Sequence, residues 1–331
     1  MIQTSVIIPC YNEEKSICAL LDGLRGQSYP LDQVEIVISD GMSQDQTRRR
    51  IAEYQLSHPE MNIQVIDNPT RTIPGGLNRA IQSSHGEYII RLDAHSKPDV
   101  DYIRLCIQAL EDGKGTNVGG IWLVRPGSDT WVARSIAQAG SHPLGVGDAR
   151  YRFTSTAGYV ETVPFGAYRR DLLDRIGPYD ETLLANEDYE LNTRILKSGG
   201  KIWLDPAIRS EYFARSTFAD LARQYWRYGR WKAVMLKRYP ETLRLRQFVP
   251  PAFVLGMLVL AILSFFNPFF FSLFLAAIGL YAVVLILTSA VLAYQKQCLA
   301  FIIGVPAAVV IMHVCWGSGL LWSFIQPPAA H

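Results

Sequence analysis

Of the 32 basic and 30 acidic side chains in this chain, only Lys296 lies beyond Arg246, although the chain runs on to residue 331. A single soluble globule of uniform composition cannot be built from such a sequence, because its end has almost nothing with which to face water. Phe248 to Phe266 is apolar and uncharged, Phe269 to Ala293 repeats the pattern after Asn267-Pro268, and Leu299 to Ile325 is a third run. Roughly 20 apolar residues in a helix cross a bilayer core of about 30 Å, and each run is near or above that length. Buried core helices are the competing reading. They would need a polar side, and three nearly contiguous apolar runs leave none. The sequence predicts a C-terminal transmembrane region, 247–331, with three spans at about 248–266, 269–293 and 299–325, the first two forming a tight hairpin.

Cations orient these spans. Lys232, Lys237, Arg238, Arg244 and Arg246 precede the first, and Lys296 lies between the second and third. Both basic segments fall on one side, which the positive-inside rule makes cytoplasmic. The expectation is a multi-pass cell-membrane protein with its large N-terminal part in the cytoplasm and its extreme C-terminus outside. Met1 to Pro9 is too short for a signal peptide and leads into a strand pattern. The formal charge of +2 gives no support to a nucleic-acid partner. Cys10, Cys18, Cys106, Cys298 and Cys315 are odd in number and lack the paired spacing of zinc sites or disulfide frameworks, so they read as buried thiols.

The first 215 residues alternate short apolar runs with helical patterns. Ser5 to Pro9 reads as a strand, Glu13 to Gly26 as a helix with Ile17, Leu20, Leu21 and Leu24 inward, and Val34 to Ser39 as the next strand. A helix capped by Ser43, with Gln46 three positions on, is expected to follow. Ile63 to Ile66, Leu77 to Ser83, Tyr88 to Leu92, Asp99 to Leu110 and Val118 to Val124 continue the series. Such repetition indicates an α/β domain, Rossmann-like, with a mostly parallel sheet and helices on both faces. Arg125 to Glu161 lacks strong periodicity and holds a Gly/Pro-rich stretch from Ser141 to Gly147, read either as a substrate lid or as an exposed connector. Residues 216–246 mix Tyr225, Trp226, Tyr228 and Trp231 with Arg223, Arg227, Arg230 and Lys232, a pattern suited to an amphipathic interfacial helix.

In parallel sheets ligands sit beyond the carboxyl ends of the strands. The polar residues there are Tyr11, Asn12 and Glu13; Asp40, Ser43 and Asp45; Asn68 and Arg71; and Asp93 with His95. Pro9-Cys10-Tyr11-Asn12-Glu13 is neither a G-x-G-x-x-G fingerprint nor a Walker loop, which argues against dinucleotide oxidoreductases and P-loop ATPases.

The order of these segments resembles the family 2 glycosyltransferases, whose fold is called GT-A. The resemblance covers roughly residues 4–235. It rests on Pro9 to Glu14, Ser39 to Asp45, Gly75-Gly76-Leu77-Asn78, Leu92-Asp93-Ala94-His95, Asn186-Glu187-Asp188 and Gln224 to Trp231. Within the family, the Asp-Ala-His variant and the three trailing spans are most similar to exopolysaccharide transferases of the succinoglycan type. Tyr228 stands where the Q-x-x-R-W of processive synthases has Trp, and three spans are few for a polymer-conducting channel.

The resemblance implies roles. Pro9, Tyr11 and Glu13 fall on the donor side, the latter two flanking base and ribose, and Asp40 would accept a hydrogen bond from the base, for which a uracil imide is suited. The competing readings make Tyr11 and Glu13 simply the start of a helix and Asp40 a carboxylate capping one. Arg71 and Asn78 are further donor candidates, Asn78 alternatively facing solvent. Asp93 and His95, alternating at a strand end, would hold a divalent cation that stabilises the leaving diphosphate, and imidazole favours Mn2+ over Mg2+. A backbone-bonded histidine is the alternative for His95. Asp188 matches the base that takes the acceptor hydroxyl's proton, with Glu187 beside it raising its pKa; acidic residues favouring a helix N-terminus are the alternative. Gln224 and Arg227 would contact the diphosphate or acceptor, and Trp231 the acceptor sugar.

The expected activity is inverting transfer from a nucleotide sugar, UDP-linked, to a polyprenyl-diphosphate-linked saccharide in exopolysaccharide or related glycan synthesis, with membrane lipids around the spans. A polyprenyl-phosphate sugar synthase is the enzymatic rival. A non-catalytic membrane scaffold is the other, and the presence of Asp40, Asp93, Glu187 and Asp188 argues against decay.

Overall fold

Short apolar runs at the head of the chain form strands that hydrogen-bond side by side. The computed structural model describes residues 2–328. Met1, which opens the segment judged too short for a signal peptide, and 329–331, the expected outer terminus, lie outside the described residues. In chain order the elements are β1 (Thr4–Cys10), α1 (Ile17–Arg25), β2 (Val34–Asp40), α2 (Thr47–Ser57), β3 (Asn62–Asp67), α3 (Ile73–Gln82), β4 (Tyr88–Arg91), β5 (Lys97–Pro98), α4 (Tyr102–Glu111) and β6 (Asn117–Arg125). Next come α5 (Trp131–Gly140), α6 (Pro143–Val146), β7 (Gly158–Tyr159), β8 (Ala167–Arg169), α7 (Asp171–Ile176), α8 (Glu187–Lys197) and β9 (Ile202–Phe213). The last are α9 (Phe218–Arg238), α10 (Leu245–Leu263), α11 (Pro268–Lys296) and α12 (Phe301–Ile325). The chain divides into two compact units, Met1–Leu123 with Phe153–Tyr212, and Val124–Arg152 with Phe213–His331.

The first unit is built on a mixed sheet of order β3-β2-β1-β4-β8-β6-β9-β5, with β7 on β9. β1 pairs in parallel with β2 and β4, and β2 with β3, as the repeated strand–helix pattern predicts. Beyond β4 the pairing turns antiparallel, β8 lying against both β4 and β6. Both faces are covered. Val6, Ile8, Ile36, Ile38 and Ile90 join a core with α1, α2 and α4, while Ile7, Val37 and Ile89, on the opposite face by the two-residue strand period, are equally buried. That is why these strands read as unbroken apolar runs rather than alternating ones. α1 packs through Ile17, Leu20, Leu21 and Leu24, the stripe its spacing dictates.

Two expectations change. The helix after β2 starts at Thr47, and Gln46, not Ser43, precedes it, without a side-chain cap. Asp45 takes over the turn, its Oδ1 accepting from Thr47 N (3.0 Å) and Thr47 Oγ1 (2.6 Å), which leaves Ser43 for other partners. The segment from Arg125 to Glu161 is not structureless. Thr130 caps α5 by accepting from Ala133 N (3.2 Å), and the inward face of that helix is Ala133, Ser135, Ile136, Ala137 and Gly140. Small residues bury a helix closely but write a faint apolar stripe. Val124–Arg152 accordingly groups with the C-terminal helices rather than with the expected 1–215 domain, because α5 and α6 pack on α12.

In the second unit α9 and α12 run against each other so closely that Cβ atoms at Gly229 or Gly319 would collide with the carbonyl oxygens of Trp316 and Trp226. Ser323 Oγ donates to Arg230 O (3.0 Å) along the same seam. Three helices, Leu245–Leu263, Pro268–Lys296 and Phe301–Ile325, are long and apolar enough to cross a membrane. They differ in cover: 39% of the most apolar stretch of α12 is buried, against 6% for α10 and for α11. His313 sits between a tyrosine hydroxyl and a carbonyl, Tyr281 Oη at 2.9 Å from Nδ1 and Leu144 O at 3.0 Å from Nε2, a pairing suited to a neutral ring packed between helices. All five cysteines are free.

Candidate active site

Three parallel strands end in backbone that few side chains adopt. Asn12 after β1, Met42 after β2 and Arg71 after β3 all have positive φ, at 54°, 61° and 54°. The β1 and β2 loops are laced together there: Asn12 N donates to Ser43 Oγ (2.9 Å), Gln44 N to Asn12 Oδ1 (2.8 Å) and Glu13 N to Thr47 Oγ1 (2.7 Å). The Tyr11 ring lies over Gly41, where a Cβ would come within 3.3 Å of it, and is 44% exposed. Bent loops held by hydrogen bonds offer a firm floor for a ligand at the sheet's carboxyl end.

Asp40 closes that floor. It is fully buried, with Ser43 Oγ donating to Oδ1 (2.5 Å), and Ser43 N (3.0 Å) and Arg48 Nε (2.5 Å) donating to Oδ2. Arg48 also pairs with Asp67 at the end of β3. Arg71 is exposed. Asn78 does not face solvent: buried on α3, it donates to Tyr179 O (2.9 Å) and Glu181 Oε1 (2.9 Å) and accepts from Tyr179 N (2.9 Å). Its amide is occupied in fixing the segment ahead of α8.

After β4 the chain turns at once, Ser96 N and Oγ both donating to Asp93 O (2.9 and 2.7 Å). Asp93 and His95 project from this turn, 23% and 46% exposed. His95 Nδ1 lies 2.9 Å from Glu13 Oε1, so a residue expected beside the base and ribose meets a residue expected on the metal. Among the described residues no group of three or more metal-type side chains converges. A cation bound partly through substrate phosphates takes only one or two protein donors, however, and Asp93 with His95 would be such a pair.

The centre of the site is a residue that the sequence reading passes over. Arg91, last in β4 and 3% exposed, meets three carboxylates: Asp188 through Nη1, and Asp93 (3.0 Å) and Glu187 (2.9 Å) through Nη2. Burial opposes its charge, but Asp188, Asp93 and Glu187 outweigh that and hold its pKa above the ordinary arginine value. Glu187 and Asp188 open α8, whose lead-in residue Asn186 is left-handed at φ 68°. One guanidinium against three carboxylates leaves the cluster short of positive charge. Burial lifts the Asp188 carboxyl, Arg91 pulls it down, and Glu187 and Asp93 push it up, to about 7. Its side chain still keeps 24% of its surface open. The signal for Arg91 was a lone charge within Tyr88-Ile89-Ile90-Arg91-Leu92, tolerable in a buried strand only when paired.

The membrane-proximal candidates lie on α9, in the second unit. Gln224 Nε2 donates to Tyr228 Oη (2.9 Å), and Arg227 is exposed. Trp231 is 6% exposed, so its ring lacks the open face that stacking on an acceptor sugar needs.

Residues 162–327 match the model of Glycosyl transferase family 21. A glycosyltransferase of Methanococcus voltae, dolichyl N-acetyl-alpha-D-glucosaminyl phosphate 3-beta-D-2,3-diacetamido-2,3-dideoxy-beta-D-glucuronosyltransferase, is 30% identical over 71% of this chain and 74% of its own. The succinoglycan biosynthesis protein ExoA of Rhizobium meliloti (strain 1021) is 32% identical over 75% of this chain and 74% of its own. In structure, the mannosyltransferase PcManGT of Pyrobaculum calidifontis, solved with GDP-Man and Mn2+, superposes over 97% of this chain and 87% of its own with a TM-score of 0.62 at 20% identity, a likeness of fold. Residues 5–177, the span holding the strand-end loops, Asp40, Asp93 and His95, match the model of Glycosyl transferase family 2, and the chain belongs to that family.

Proposed function

We propose that this chain is a membrane-anchored inverting glycosyltransferase that moves a sugar from a UDP-linked donor to a polyprenyl-diphosphate-linked saccharide. The observation that carries the reading is the cluster at Arg91, where a carboxylate lifted to about 7 lies beside two others at the end of a parallel strand. Asp188 takes the proton of the acceptor hydroxyl as its oxygen attacks the anomeric carbon, and the bond from that carbon to the diphosphate breaks on the opposite side, which inverts the anomer. Glu187 supports Asp188 by repelling negative charge. Pro9, Tyr11, Glu13 and Arg71 line the donor side, and Asp40, fully buried with both oxygens receiving hydrogen bonds, braces the loop beneath them. Asp93 and His95 would hold a divalent cation, Mn2+ favoured over Mg2+ by the imidazole, whose charge when bound stabilises the departing diphosphate.

The relatives and the tail support this acceptor. The Methanococcus relative is named for a dolichyl-linked sugar phosphate, the Rhizobium one for succinoglycan synthesis, and three apolar helices suit an enzyme whose substrate lives in a bilayer. Basic residues before α10 and Lys296 at the end of α11 favour a cytoplasmic catalytic unit in a cell membrane. Gln224 and Arg227 are suited to a diphosphate on that acceptor. The test is binding of UDP and of GDP to detergent-purified protein, with and without Mn2+, for the natural chain and for His95→Ala. Mn2+-dependent UDP binding that weakens at least about tenfold in His95→Ala is expected, as for a lost direct ligand. No binding of either nucleotide under any of these conditions would overturn the reading.

A further inference from the structure

Arg91 holds more carboxylates than a strand-to-helix tie requires. A single ion pair would fasten the end of β4 to α8, yet here Nη1 goes to Asp188 while Nη2 is shared between Glu187 on α8 and Asp93 beyond β4. Asp188 and Glu187 are neighbours in the first turn of a helix, so their side chains leave the axis in different directions. A planar, forked cation presents a separate nitrogen to each in a fixed geometry, whereas an ammonium is a single point of charge. The fork is itself fixed, being 3% exposed at the end of a central strand between β1 and β8. Its contacts also join residues assigned to opposite sides of the reaction, Asp93 to the donor and Asp188 to the acceptor.

We propose that Arg91 is a positioning residue for sugar transfer, holding the base Asp188 at a set place relative to the donor-side Asp93. The inference rests on the reading that Asp188 is the base and Asp93 serves the donor. It goes beyond that reading in assigning the alignment of the two half-sites to one guanidinium. A displacement of about 1 Å in such an arrangement is enough to lower a rate 100-fold without changing what binds.

The test compares Arg91→Lys, Asp188→Asn and the double variant in the full-length, detergent-purified chain. Readouts are kcat, donor KM and the Kd for UDP with Mn2+. Arg91→Lys keeps the charge and removes the fork. It should lower kcat about 100-fold while leaving donor KM and UDP Kd within about threefold of the natural chain. The double variant should be no slower than Asp188→Asn, because both changes act on one proton transfer. Normal kcat in Arg91→Lys, a loss of UDP binding in step with kcat, or losses that multiply in the double variant would each overturn the proposal. Asp188→Asn turning over normally would instead overturn the reading beneath it, and favour an acceptor that is already a phosphate. If Arg91→Lys does not fold, the same change in a Glu187→Gln background removes one of the crowded charges. There it should still lower kcat about 100-fold relative to Glu187→Gln alone, and equal rates would overturn the proposal.

Discussion

Two carboxylates at the carboxyl end of the same sheet live in opposite conditions. Asp40 is fully buried and receives three hydrogen bonds, from two groups of Ser43 and from Arg48. Asp188 is less buried by surface, yet shares one guanidinium with Asp93 and Glu187 and is lifted to about 7. Burial pushes the Asp188 carboxyl up most, Glu187 and Asp93 add to it, and one shared guanidinium does not offset them. Asp40 is tied to its loop, and Asp188, lifted to about 7, can gain and lose a proton near neutrality. Bracing the donor-side loop and, as proposed, activating a hydroxyl are roles that suit that difference.

The largest expected effect breaks the Asp188 side. With Asp188 as base, kcat/KM should fall as pH drops below about 7, where the carboxyl becomes protonated, approaching tenfold per pH unit, and should level off above it. Asp188→Asn should remove that acid limb and lower kcat by roughly 10²–10⁴-fold, while UDP binding shows no break at the same pH. Steady-state rates from pH 5 to 9, with binding measured in parallel, give the answer. An acid limb that survives Asp188→Asn would assign the titration to another group.

The Asp40 side should respond in stability before rate. Asp40→Asn keeps an oxygen for Ser43 but loses the charged partner of Arg48, and should lower stability by about 2 kcal/mol. A lower melting temperature in detergent would report it. Arg48, 42% exposed and still paired with Asp67, is not left stranded, which caps the loss. If the carboxylate also receives a base imide, UDP binding weakens beyond what the melting temperature accounts for. An unchanged UDP Kd at saturating Mn2+ would confine Asp40 to holding the loop.

These two sites were not equally legible. Asp40 sits at a strand end, where the parallel pattern directs attention, and its partners Ser43 and Arg48 are three and eight residues away. Local partners leave local traces, although the trace misled at Ser43, whose hydroxyl serves Asp40 instead of capping α2. Arg91 is bound to residues 96 and 97 positions distant, and nothing in one sequence encodes that pairing except the oddness of a charge in an apolar strand. The same limit hid α5, whose buried face is mostly alanine, serine and glycine and whose partner is α12. Periodicity was enough for the parallel half of the sheet and the apolar helices of the tail, since those are decided by solvent. It was silent on β8 and β9, whose antiparallel places depend on long-range pairing.

The smallest effect sharpens the contrast at the backbone. Asn186 leads into α8 at φ 68°, a conformation that asparagine tolerates and alanine does not, and its turn sets where Glu187 and Asp188 meet Arg91. Asn186→Ala should lower stability by about 1 kcal/mol, and Asn186→Gly by less, because glycine adopts the left-handed region freely. If the turn only saves strain, both variants keep kcat once folded. If it also aims Asp188, Asn186→Ala lowers kcat by more than its stability loss explains, while Asn186→Gly, whose backbone can keep the same turn, retains it. No equivalent split is expected at Met42, also left-handed, because the loop it belongs to is tied to Asn12 through both Ser43 Oγ and Gln44 N and carries no proton-transfer group. Measuring kcat and melting temperature together for Asn186→Ala, Asn186→Gly and Met42→Ala therefore separates a turn that shapes the fold from one that also aims the base.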